Sequence, residues 1–176
     1  MIEVTMQFIC SQMFVFCAMI FDFMAFQFKK RKQIFFCLML STVFVSLQYF
    51  LLNKKAAAIL MLLSSLRFAI YYLTKNKNYL YLFIATNTIS LFFTYKEMYD
   101  VIIYSSSVIF IIGMLQKEDA LMREIMGISM TLAIVYNILI FSPMGVVAET
   151  SILISNLVGY YKYHKKLTPE QMIAIK

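Results

Sequence analysis

Seven apolar stretches, separated by short basic or mixed segments, take up nearly all of the chain. They run over about 6–28, 33–52, 56–74, 79–95, 99–116, 121–141 and 143–162. At 1.5 Å per residue, helices of that length cross a hydrocarbon core roughly 30 Å thick. With 62% hydrophobic and 14% charged residues and a mean hydropathy of +0.78, a soluble domain could not hide so much apolar surface. The pattern predicts an all-α polytopic membrane protein in a lipid bilayer. Short loops leave room for one transmembrane domain over 1–176. The first stretch reads as a helix rather than a removed signal, because the segment after it is strongly basic.

The net charge of +7 follows from topology, so no nucleic-acid partner is expected. With the amino terminus outside, the inner segments carry Lys29, Lys30, Arg31, Lys32, Lys75, Lys77, Lys117, Arg123, Lys162, Lys165, Lys166 and Lys176. The outer segments carry only Lys54, Lys55 and Lys96. The positive-inside rule then puts the carboxyl terminus in the cytoplasm, which requires an odd number of crossings.

An offset of 89 residues superimposes stretches 1–3 on stretches 5–7 without a gap and leaves the fourth as a connector. It sets Gln48 on Asn137, Arg67 on Asn156 and Tyr71-Tyr72 on Tyr160-Tyr161. The expected organisation is a first three-helix repeat over 6–74, a linker helix over 79–95, a second repeat over 99–162 and a cytoplasmic tail over 163–176. An odd linker leaves both repeats in the same orientation, related by an axis along the membrane normal. Ser142-Pro143 reads as a helix start, with serine as cap and proline in the first turn. Thr168 and Gln171 repeat that logic as a capping box for a short tail helix.

Polar groups at membrane depth carry the functional signal, since a charge near the bilayer centre costs roughly 2.5–3.5 kcal/mol on insertion scales. Counting from the helix ends puts Asp22, Arg67 and Asn156 at one level in the inner half, and Gln48, Asn137 and Glu149 at one level in the outer half. Asp22 and Arg67 read as a structural ion pair between the first and third helices. Arg67 equally suits a bidentate grip on a carboxylate or phosphate. Glu149 has no basic residue at its depth and reads as a proton or cation site, or as a partner of Asn137. Asn137 and Asn156 suit interhelical hydrogen bonds or a cavity lining. The candidate solute-binding set is Gln48, Arg67, Asn137, Glu149 and Asn156. Tyr71, Tyr72, Tyr160, Tyr161 and Tyr163 read as an aromatic belt at the headgroup level.

No metal or cofactor is expected. The single histidine, His164, sits beside Lys165 and Lys166, and Cys10, Cys17 and Cys37 lie within helices as packing residues. No nucleophilic triad or glycine-rich phosphate loop occurs, which argues against an enzyme.

Arg123, Asn137, the Ser142-Pro143-Met144-Gly145 turn, Glu149 and Asn156 occur at spacings that resemble the YgjV-type bacterial inner-membrane proteins. Gln48-Tyr49-Phe50-Leu51-Leu52 and Arg67 extend the resemblance into the first half. Gln48 and Ser64 depart from it, standing where a relative has His and Asn, so a proton relay through that His does not carry over. The resemblance implies the inner membrane. It also implies similarity to the group of SWEET, PQ-loop and PnuC transporters and the KDEL receptor, with a 3+1+3 architecture. The chain lacks the Pro-Gln pair and the helix prolines that SWEET-type transporters use as hinges. The expected function is movement of a small polar solute by alternating access, facilitated or ion-coupled. The rival is a non-transporting receptor or a small interaction subunit of a membrane complex.

Overall fold

The computed structural model describes residues 6–27, 31–74 and 78–164. Seven helices occupy them: α1 (Met6–Gln27), α2 (Arg31–Leu51), α3 (Lys55–Leu73), α4 (Tyr79–Thr94), α5 (Met98–Leu115), α6 (Asp119–Leu139) and α7 (Pro143–His164). No described residue is in a strand. By length and composition α1, α3, α5 and α6 each suffice to cross a membrane, and the apolar parts of α2 and α4 are shorter. The lysines at 29, 30, 75, 77, 165, 166 and 176 and the expected tail helix around Thr168 lie outside the described residues.

The helices close into a ring. Packing runs α1–α2–α3, crosses to α5, continues α5–α6–α7 and returns from α7 to α1; α4 packs against α3 and α5. Exchanging α1 with α5, α2 with α6 and α3 with α7 leaves the contacts of the ring unchanged, as a two-fold repeat requires; α4, which packs on one side only, stands outside the repeat. Within each triplet the middle helix separates the other two. Among the described residues α1 does not pack on α3, nor α5 on α7.

The register of the repeat is 88 residues, one less than identity matching predicts. α2 and α6 end in the same Schellman turn. Lys54 N–H bonds to Tyr49 C=O and Asn53 N–H to Phe50 C=O; 88 residues on, Ser142 N–H bonds to Asn137 C=O and Phe141 N–H to Ile138 C=O. The residue at the left-handed position is Asn53 (φ 58°) in one turn and Phe141 (φ 55°) in the other. The same offset pairs buried positions throughout: Val15 with Ile103, Ala18 with Ser106, Ser41 with Ser129, Gln48 with Tyr136, Tyr49 with Asn137 and Leu60 with Ala148. Matching Gln48 to Asn137 by chemical likeness shifts every pair by one residue, which a helix converts into a rotation of about 100°.

The core sits between α2, α3, α5 and α6, at the predicted outer end. Tyr49, Leu60, Ile103 and Tyr136 pack there with Ala57, Ala58 and Ala133. The Tyr49 and Tyr136 rings meet edge to face at 5.6 Å. Many of the large apolar side chains of α4, among them Tyr81, Leu82, Phe92 and Phe93, are exposed, which suits a lipid-facing surface.

Candidate functional site

Two helix ends and two tyrosines close the predicted outer end. Ser142 caps α7: its Oγ accepts the Gly145 N–H at 3.3 Å, and Pro143 begins the helix as predicted. The same oxygen accepts a 2.7 Å hydrogen bond from Gln48 Nε2 on α2. Tyr49 donates its hydroxyl to Asn137 Oδ1 at 3.2 Å, and Asn137 Nδ2 donates to Ala133 C=O at 3.0 Å. Gln48, Tyr49, Asn137 and Ser142 are each about 1% exposed. Gly145 is required here, because a Cβ would run into Asn137 Oδ1 and come within 2.7 Å of Ser142 Oγ.

Two ties brace the same end. Gln12 Oε1 on α1 accepts the Met144 N–H at the start of α7, at 3.1 Å. Lys54, before α3, pairs with Glu97, before α5, at 2.9 Å and donates to Tyr99 Oη at 2.5 Å. Hydrogen bonds from Tyr99 and Lys54 hold the Glu97 carboxyl below the usual carboxylate range. The Lys54 ammonium is partly desolvated, yet its bonds to Tyr99 and Glu97 keep it above its ordinary value.

Deeper in, α1 and α7 part around a cavity of about 180 Å³. Met19, Asp22 and Phe23 line it from α1, and Ala148, Ser151, Ile152 and Ser155 from α7. The Gln12–Met144 bond fixes the register of these parallel helices and sets Asp22 about five residues below Glu149, roughly 7.5 Å along the axis. The two carboxyls are within electrostatic reach of each other. Asp22 also lies near the Ser41 side chain of α2. Glu149 is within electrostatic reach of Tyr49, the residue that bonds Asn137.

The predicted pairing of Asp22 with Arg67 is not formed. α2 stands between α1 and α3, and the ion pair found among the described residues is Lys54–Glu97. Asp22 faces α7 instead. Arg67 is buried on the opposite side, its guanidinium 5.2 Å from both the Phe68 and Phe110 rings and its Nη2 3.3 Å from Ser64 Oγ.

The five candidate solute-binding residues therefore fall into separate places. Gln48 and Asn137 share the closure at the predicted outer end. Glu149 lies below it on α7, next to Ala148, which lines the cavity. Arg67 belongs to the α3–α5 seam. Asn156 joins α7 to α6, donating to Arg123 C=O at 2.8 Å beside Gly127. Of the alternatives for Glu149, partnership with Asn137 is not formed: Asn137 bonds Tyr49 and the Ala133 carbonyl instead. Of the tyrosine belt, Tyr72 and Tyr161 are exposed, Tyr71 packs on Phe35 at 4.3 Å, and Tyr160 donates to Glu124 at 2.5 Å.

Ser151, Ser155 and Ala148 were legible in principle: small residues recurring at i, i+3 and i+7 mark a helix face with room beside it. Tyr49 and the second role of Ser142 carry no such signal, because aromatic rings and helix caps are common in bundles of this kind. Among the described residues no group of three His, Cys, Asp or Glu is placed to hold a metal ion.

The family Imp-YgjV, described as bacterial inner membrane protein, matches residues 9–167, and the chain belongs to that family. No curated protein and no solved structure matches it.

Proposed function

We propose that this bacterial inner membrane protein moves a small polar solute by alternating access between its two helix triplets. The observation that carries the reading is the cavity lined by Asp22, with Glu149 within electrostatic reach of it, below an end sealed by Gln48–Ser142 and Tyr49–Asn137. Among the described residues neither carboxyl has a cationic partner, and ionisable groups at membrane depth mark proton or cation sites. In this reading the structure is closed to the outside, with the amino terminus outside and the carboxyl terminus cytoplasmic. The α1–α7 seam is the path that opens.

Tyr49 supplies the link between the carboxyls and the seal. It donates to Asn137 while lying in the field of Glu149. A change of charge on Glu149 alters how strongly the Tyr49 O–H is held, and so biases the seal toward open or shut.

Reconstituted in proteoliposomes, Glu149→Gln and Asp22→Asn should fold as wild type and lose solute uptake or its pH dependence. Full, pH-sensitive uptake by both variants would refute the reading. The mutual satisfaction of Gln48, Ser142, Tyr49 and Asn137 favours a second reading, a rigid interaction subunit. That reading predicts a single conformation and co-purification of a stoichiometric membrane partner.

A further inference from the structure

Arg67 is 3% exposed, and its guanidinium Nε has no hydrogen-bond partner. The Phe68 and Phe110 rings take up its faces, but ring faces do not accept the N–H groups in the guanidinium plane. Ser64 accepts one of them, from Nη2. The Tyr79 hydroxyl, at the start of α4, is likewise buried without a partner, and Tyr79 packs into the same cluster as Leu63 and Ile70, which lie one helical turn either side of Arg67 on α3. No carboxylate is within ion-pair distance of Arg67 among the described residues. A fixed positive charge and two unused donors, with no acceptor to match, describe half of a recognition site. The complementary half is an acceptor-only group carrying negative charge.

We infer that Arg67 and Tyr79 form an oxyanion site between α3, α4 and α5, which takes the carboxylate or phosphate of a small solute. The Nε and Nη edge of arginine matches the two oxygens of such a group, and Tyr79 supplies a third donor. The identity of the solute rests on the transport reading; the site itself does not.

The test is thermal unfolding of the full chain in phosphatidylcholine nanodiscs with benzoate or phenyl phosphate, against benzyl alcohol as the neutral control. The two anions should raise Tm by several degrees and the alcohol should not. Tyr79→Phe, which keeps the ring, should weaken anion affinity several-fold; Arg67→Lys should weaken it about tenfold; Arg67→Gln should abolish the response. An unchanged response in Tyr79→Phe and Arg67→Lys, or an equal response to benzyl alcohol, overturns the site. So does the absence of any stabilisation by the anions and by phosphatidylglycerol in the discs. Stabilisation by phosphatidylglycerol alone assigns the oxyanion to a lipid headgroup and overturns the statement about the solute. Anion binding without uptake in proteoliposomes overturns the transport reading and leaves the site standing.

Discussion

The seam between α1 and α7 and the seam between α5 and α3 are the same contact built twice, and they are filled in opposite ways. The 88-residue register maps Asp22 on Phe110 and Met19 on Ser107. On the facing helices it maps Ala148 on Leu60, Ser151 on Leu63 and Ser155 on Arg67. Where α7 offers alanine and serines, a cavity of about 180 Å³ remains beside a carboxylate. Where α3 offers leucines and an arginine, that space is taken: Leu60 is fully buried and the guanidinium lies against Phe110. One fold has thus produced an acidic seam beside open space and a basic seam in which leucines and the arginine side chain fill the equivalent space, leaving the guanidinium Nε unpaired. Side-chain volume and charge on α3 and α7 account for the difference.

The largest expected effect comes from exchanging those volumes. Leu60→Ala should cost roughly 2–3 kcal/mol, at the low end for a buried leucine because the unfolded reference in a bilayer is already out of water. Ser151→Leu should do the reverse at the other seam, filling the cavity and raising stability by about 0.5–2 kcal/mol while lowering transport. Thermal unfolding in detergent reads both signs. A destabilising Ser151→Leu would show that the cavity is not free volume.

The paired turns give a smaller contrast. Asparagine tolerates the left-handed conformation at 53, whereas Phe141 holds it against its Cβ, at about 1–2 kcal/mol. Phe141→Gly should recover about 1 kcal/mol in chemical unfolding, and Asn53→Gly close to nothing. Equal effects at the two positions would break the comparison.

The smallest effect concerns Asp22 and Arg67 together. They occupy different seams, so a double-mutant cycle of Asp22→Asn with Arg67→Gln should show coupling within about 0.5 kcal/mol. Coupling of several kcal/mol would restore the ion pair that the sequence suggests.

The helices and their ends were readable because apolar runs, basic breaks and the Ser142-Pro143 cap are local signals. The repeat was readable, but its register was not. Gln48 and Asn137 look alike chemically, whereas the positions that correspond, Tyr49 and Asn137, share only burial and a place in the turn. Depth was readable by counting residues, which grouped Asp22 with Arg67. Neighbourhood around the ring was not, because depth leaves the angular order of helices undetermined. That order places α2 between the two charges and turns Asp22 toward α7. The orphaned edge of Arg67 depends on Phe110 and Tyr79, both distant in sequence.

Alternating access is the central claim, and the distance across the sealed end tests it most directly. Spin labels at Phe50 and Ile138, exposed residues that the repeat makes equivalent, straddle the Gln48–Ser142 and Tyr49–Asn137 bonds. In a cysteine-free background, pulsed dipolar spectroscopy should find two distances whose populations change between acidic and alkaline buffer, with the change lost in Glu149→Gln. One narrow distance, the same in both buffers and in the variant, would contradict the account.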